Sequence, residues 1–272
     1  MPKPSPLQAC SQMSLSDILA DPTVQYWTVG LLLGQLVFGL TFGGIASPVQ
    51  KKAAFAAHQL CCFAAFVYCT AVGTSIWLNS SSYRTGASFD VRLYGCTEDQ
   101  STIVKMMLGF QVYDAVVTLL VTDLRSAVGM VHHIVTGLFM VFALLGGVLM
   151  PYAPFFCGIA EISSLPLSIF DLFKGCKELS SVKSVAPIGD LAKILFAVIF
   201  LIVRVVWWPL VIYQMLADIH ASQSHPQFWF PAAAFHTTAA VGLTLLQQFW
   251  GTKVISGIVK LVTGDKPKKK NY

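Results

Sequence analysis

Six ionisable side chains stand inside long apolar runs of this sequence: Asp114, the adjacent pair His132 and His133, Glu161, Arg204 and His236. A neutral imidazole can accept a proton or attack an electrophile near neutral pH, and a carboxylate beside it fixes which ring nitrogen carries the hydrogen. Asp114 with His132 and His133 is therefore the candidate catalytic set. Neighbouring helical residues point about 100° apart, so one histidine of the pair aims into a shared space while the other orients it or touches a neighbouring helix. For each residue taken alone, interhelical hydrogen bonding is the competing reading.

Positions three, four and seven apart share a helical face. Gln111, Asp114 and Thr118 form one polar stripe, and Glu161, Ser164, Ser168 and Asp171 form another. His132 has Thr136 one turn on, and His236 is followed by Thr237, Thr244 and Gln248. An ionisable group in a membrane span costs a few kcal/mol and normally faces the bundle interior with a partner. Four such faces predict a common polar chamber, with Glu161, Arg204, His236, Thr136, Gln111 and Ser164 as its substrate-binding lining. A rise of about 1.5 Å per residue puts Asp114 and the histidine pair roughly 8–12 Å from one end of their helices, and Glu161, Arg204 and His236 deeper, in a second tier.

The elements that must position these groups are membrane helices. Of 272 residues, 55% are hydrophobic and only 11% charged, which excludes an ordinary soluble domain. Seven windows are long and apolar enough to cross a bilayer, near 24–46, 53–79, 101–122, 127–150, 152–173, 190–217 and 227–250. The strict alternation of a membrane barrel is absent, so the expected fold is an all-α polytopic bundle. Residues 1–23 form an N-terminal tail without a cleaved-signal pattern, 24–50 a first transmembrane helix, 51–260 the main domain and 261–272 a polybasic tail.

Lysines and arginines set the expected direction, because positive connections stay cytosolic. Lys51 and Lys52, then Arg125, then Lys174, Lys177 and Lys183, then six lysines from Lys253 to Lys270 fall in alternate connections, against only Lys3, Arg84 and Arg92 on the other side. This predicts a lumenal N-terminus and a cytosolic C-terminus, and it accounts for the net charge of +5 without nucleic acid as a partner. The C-terminal KKKNY reads either as a dilysine signal for the endoplasmic reticulum or as a segment resting on anionic lipid.

Cys10 and Cys96 are the two cysteines on the lumenal side, and both a disulfide and free thiols are open to them. Cys61, Cys62, Cys69 and Cys157 read as small buried hydrophobes, and no CxxC pair argues for a metal. Pro166 is expected to break the fifth span and free the Ile162 carbonyl for Ser163 or Ser164, and Pro209 to bend the sixth. Gly30, Gly34, Gly39, Gly43 and Ser47 permit close packing of the first span within the chain or, alternatively, in a homodimer.

GFQVYDAVVTLL around Asp114, MVHHIVTG around the histidines, GIAEISSLPLSIFDLFK around Glu161 and FLIVRVVWWP around Arg204 together resemble the TLC domain proteins. That family includes ceramide synthases, translocating-chain-associated membrane proteins and a neuronal ceroid lipofuscinosis protein. The resemblance runs from about Lys51 to Lys260 and implies a six-helix core around a lipid-binding cavity, with the first span as an extra helix. In ceramide synthases the paired histidines are required for acyl transfer from acyl-CoA, and His132 and His133 match that position. The segment AEISSLPLSIFD lacks the synthases' second His-Asp motif and is closer to the non-synthase branches.

Two functions follow. One is a lipid acyltransferase with acyl-CoA as co-substrate and no permanently bound cofactor. The other is a non-catalytic lipid binder, cargo receptor or assembly subunit of a membrane complex. Ion or proton transport is a third reading, weakened by the absence of an inverted repeat. The phosphate-loop and GxSxG motifs of soluble catalysis are missing.

Overall fold

A computed structural model describes residues 8–9, 11–45, 47–80 and 87–263. Short strand β1 (Gln8–Ala9) and helix α1 (Leu15–Ala20) precede α2 (Pro22–Gly44), α3 (Ala53–Asn79) and the short α4 (Phe89–Tyr94). Strand β2 (Gly95–Cys96) leads into α5 (Glu98–Leu120), α6 (Ala127–Gly146), the single turn α7 (Ala153–Phe156), α8 (Ser164–Gly175) and α9 (Lys177–Ser181). The chain closes with α10 (Ala186–Phe200), α11 (Trp208–Ala221) and α12 (Phe230–Thr263). The expected all-α polytopic bundle is what forms, apart from the two-residue antiparallel pairing of β1 with β2.

Among the described residues six helical stretches are long and apolar enough to cross a membrane. The seventh expected span corresponds to α12, whose 34 residues suffice in length. Its polar set of His236, Thr237, Thr238, Thr244, Gln247 and Gln248 leaves it less apolar than the rest. The outer surface is a belt of exposed Leu33, Leu36, Leu119, Leu120, Ile194 and Val198, as contact with hydrocarbon requires. The lysine-bearing connections lie at one end: Lys52 Nζ is 2.5 Å from Asp123 Oδ1, and Lys51 Nζ is 4.0 Å from Glu178.

Local sequence explains where the helices start. The Asp21 side chain accepts from the Thr23 N–H and Pro22 occupies the first position of α2, where a missing donor costs nothing. Burial alone pushes the Asp21 carboxyl up, but Lys105 Nζ at 2.7 Å and the Thr23 N–H outweigh it and hold the group below its ordinary value. Thr97 and Gln100 form a reciprocal capping box at α5. Gly147 ends α6 in the left-handed region, and Leu149 also has φ 65°. That strained turn is held by the Leu149 N–H, which donates to the Leu93 carbonyl at 2.7 Å.

Two spans are irregular where the sequence breaks them. The fifth, Met150–Gly175, is not bent at Pro166 as expected; it is a 3₁₀ segment over Ile159–Ser163, and Pro166 sits in the first turn of α8. A proline's missing N–H is tolerated in a first turn, so the break falls upstream. Ser163 Oγ bonds the Ala160 carbonyl and Ser164 Oγ bonds Glu161, so the Ile162 carbonyl is not their partner. In the sixth span Pro209 cannot donate to the carbonyl four residues back, that of Val205, and the helix widens to a π segment over Leu201–Trp207. Gln248 of α12 supplies the missing donor to Val205 at 3.1 Å.

Close approaches fix the spacing of the helices. A Cβ on Gly73 would lie 2.5 Å from the Gly158 Cα, and one on Gly158 would lie 2.5 Å from the Gly73 Cα, so α3 meets the fifth span backbone to backbone. The first span packs through Gly109 of α5, whose carbonyl accepts from Thr28 Oγ1 at 3.1 Å. Of the glycines on α2, Gly34 and Gly43 face Cys61 and Ala53, while Gly30 and Gly39 meet nothing within 4 Å. At the far end Ile18 is fully buried and Cys96 is disulfide-bonded. Cys10, the partner considered for it, Arg84 and the KKKNY tail lie outside the described residues.

Candidate functional site

Asp114 is the centre of the site. It is 3% exposed, and both carboxylate oxygens are engaged. Oδ2 accepts from His133 Nε2 at 2.7 Å and Oδ1 from His58 Nε2 at 2.5 Å. His133 Nδ1 is 2.9 Å from Gln111 Oε1, so the α5 stripe holds the second histidine of the pair in place. With Gln111 oriented in this way Nδ1 is the donor; turning the amide would let Nδ1 accept instead.

His132 is left as the free member of the pair. Its ring stands edge-on to His133 and to Trp250, with centroids 5.4 and 5.6 Å away. Nδ1 is buried and has no hydrogen-bond partner. The division expected from helical geometry is thus present: His133 is locked and His132 is open. Thr136, one turn on, turns its hydroxyl back to the carbonyls of His132 and His133 at 2.8 and 3.1 Å.

Glu161 and Arg204 form the facing wall. Arg204 Nη2 lies 3.1 Å from Glu161 Oε2, its Nε donates to Ser163 Oγ at 2.9 Å and to the Ala160 carbonyl at 3.1 Å, and Nη2 also reaches Ser164 Oγ. Ser164 Oγ donates to Glu161 at 2.6 Å. The 3₁₀ turn supplies Glu161, the Ala160 carbonyl and the Ser163 hydroxyl, the first residue of α8 the Ser164 hydroxyl, and the π turn the arginine.

Three spaces meet at His132. A small inner void of about 50 Å³ brings it together with Gln111, Thr136, Glu161 and Arg204. A cavity of about 490 Å³ runs past His133, Ser164 and Asp171 between phenylalanine walls to Lys174 and Lys253. An apolar groove of about 550 Å³ lies between α6 and α12, lined by Val128, Val131, Val135, Phe235 and Leu246. His132 and His133 of one expected tier and Glu161 and Arg204 of the other thus line one cavity. His236 stands apart: Nε2 donates to the Phe139 carbonyl at 3.2 Å, and the residue lines a separate small space with Leu93 and Trp229.

His58 was not anticipated from the sequence. Its signal was present in AAHQLCC, where His58 and Cys62 are four residues apart on one helical face, and in the need of Asp114 for a second partner. Gln247 was likewise missed: it is fully buried on α12 with neither amide atom partnered.

A helical bundle with a lipid-facing belt and a polar chamber among its helices defines an integral membrane protein. The chain belongs to the TLC domain family, whose model matches residues 56–256. No curated protein matches the chain.

Proposed function

We propose that this protein transfers an acyl group from acyl-CoA to a membrane lipid, with His132 as base or acyl acceptor. The TLC domain suggests a lipid-related function. The observation that carries the finer reading is the buried, unpartnered Nδ1 of His132 at the junction of a polar cavity and an apolar groove. A thioester carbonyl at this junction has its acyl chain in the apolar groove, and its phosphate-bearing part runs toward Lys174 and Lys253. His132 then removes the proton of the attacking lipid amine or hydroxyl and returns it to the CoA thiolate that leaves as the carbonyl–sulfur bond breaks, or it attacks the carbonyl itself, releases CoA and passes the acyl group on to the lipid. His133, held by Asp114, fixes the pair, and Arg204 with Glu161 orients the polar group of the lipid.

The lysine-rich end faces the cytosol in this reading, where acyl-CoA is supplied, and the protein resides in the endoplasmic reticulum. The test is transfer of labelled acyl groups from acyl-CoA to extracted membrane lipids by purified protein. A labelled product made by the wild type and lost in His132→Ala supports the proposal; a folded wild type that forms no product with any lipid fraction overturns it. The apolar groove favours one alternative, non-catalytic lipid retention. In that case the same lipid copurifies with wild type and with His132→Ala, and no reaction is seen.

A further inference from the structure

We propose that His58, Cys62 and Asp114 form a zinc site in the chamber wall. His58 and Cys62 lie four residues apart on α3, and Asp114 reaches them from α5; their ligand atoms all lie within 4.8 Å of one another. All three are buried, at 8%, 5% and 3% exposure. An imidazole nitrogen, a thiolate sulfur and a carboxylate oxygen form a donor set that suits zinc and is poor for magnesium or calcium, which demand oxygen.

Charge points the same way. Among the described residues no lysine or arginine pairs with Asp114: its partners are the imidazoles of His58 and His133, while Arg204 is committed to Glu161 and the serines. A buried carboxylate needs a positive partner, and a divalent ion at Oδ1 supplies one. The outer support is already built. Asp114 Oδ2 is held by His133 Nε2, and Gln111 fixes that ring from the other side. Gln59 Nε2 lies 3.4 Å from His58 Nδ1.

On binding, His58 ligates through Nε2 and moves its proton to Nδ1, where Gln59 turns its amide oxygen to accept it. The Cys62 thiol releases its proton to solvent. Cys62 Sγ is 3.4 Å from His58 Nε2, a spacing two zinc ligands can adopt. The His58 to Asp114 hydrogen bond must lengthen to about 3.3 Å for tetrahedral ligands at ordinary bond lengths. Three protein ligands leave the fourth position to water. The ion would then act on the acid–base pair through Asp114, which bridges it to His133.

The test uses the full chain, purified in detergent with a tag free of histidine and without chelators. Metal analysis after zinc loading and removal of loose ions should find about one zinc per chain, reduced about tenfold or more in His58→Ala and in Cys62→Ser. Cobalt should give a thiolate charge-transfer absorption in the wild type that Cys62→Ser lacks. Thermal unfolding of each variant reports whether the fold is kept, and the cobalt spectrum of the wild type needs no variant. A wild type that retains no zinc and shows no thiolate band overturns the site, as does full zinc retention by both folded variants. None of these readouts depends on lipid chemistry.

Discussion

Asp218 is buried and His132 half-buried with its Nδ1 covered, near opposite ends of the bundle, and their surroundings could hardly differ more. Asp218 receives Arg92 through two nitrogens at 2.7 and 2.6 Å, the Tyr152 hydroxyl at 2.5 Å and Gln214 at 3.1 Å. Arg92 also donates to the Ala87 carbonyl, and hydrogen bonding to Asp218 raises the guanidinium's pKa further. Every lone pair is used, and the result is a clasp between α4, the turn before α7 and α11. At His132, by contrast, the buried Nδ1 is left without a partner. A buried polar group without a partner costs about 1–3 kcal/mol, a cost that the clasp avoids and His132 Nδ1 bears. The clasp ties helices together with every acceptor used, whereas the chamber leaves a polar atom open.

That contrast can be broken at several points. The largest effect expected is on turnover: His132→Ala should lower acyl transfer about 100- to 10,000-fold, while the unfolding temperature in detergent stays near that of the wild type. Comparable losses of activity and stability would show that His132 is structural. At the clasp the order reverses. Asp218→Ala leaves a buried guanidinium and a phenol without their acceptor and should cost about 3 kcal/mol of stability, read as early thermal unfolding, with residual activity scaling only with the folded fraction.

Gln247→Leu gives a smaller and opposite change. Removing two unsatisfied atoms should stabilise the protein by about 1 kcal/mol, read as later thermal unfolding in detergent. A destabilised Gln247→Leu would mean the amide is already served. Smallest is the pH effect of Asp21. Its folded pKa is depressed, so its contribution is present above the ordinary carboxylate range and lost as pH falls through the folded value. The group is partly exposed and screened, so Asp21→Asn should cost under about 1 kcal/mol near neutrality and remove that part of the acid sensitivity.

Helical periodicity made much of this arrangement legible. It placed Gln111, Asp114 and Thr118 on one face, separated the roles of His132 and His133, and identified the spans and their alternating basic connections. Periodicity assumes a regular helix, however, and fails where the helix is not regular. The 3₁₀ turn at Ile159–Ser163 and the π turn at Leu201–Trp207 depart from the regular spacing that a stripe through Glu161 and a depth for Arg204 assume. His236 shared a plausible face but points at the Phe139 carbonyl, since spacing along one helix does not reveal how it is rotated against the next. His58 was overlooked near the start of its span, where a polar residue passes for an interfacial one.

The contact between Gly73 and Gly158 carries a last consequence. With no side chain on either partner, the two backbones serve as a fixed pivot, and the distance from α3, bearing His58, to the turn bearing Glu161 is set by bare main chain. A single added methyl at either glycine would act as a wedge, prising the walls apart well away from any group that does chemistry.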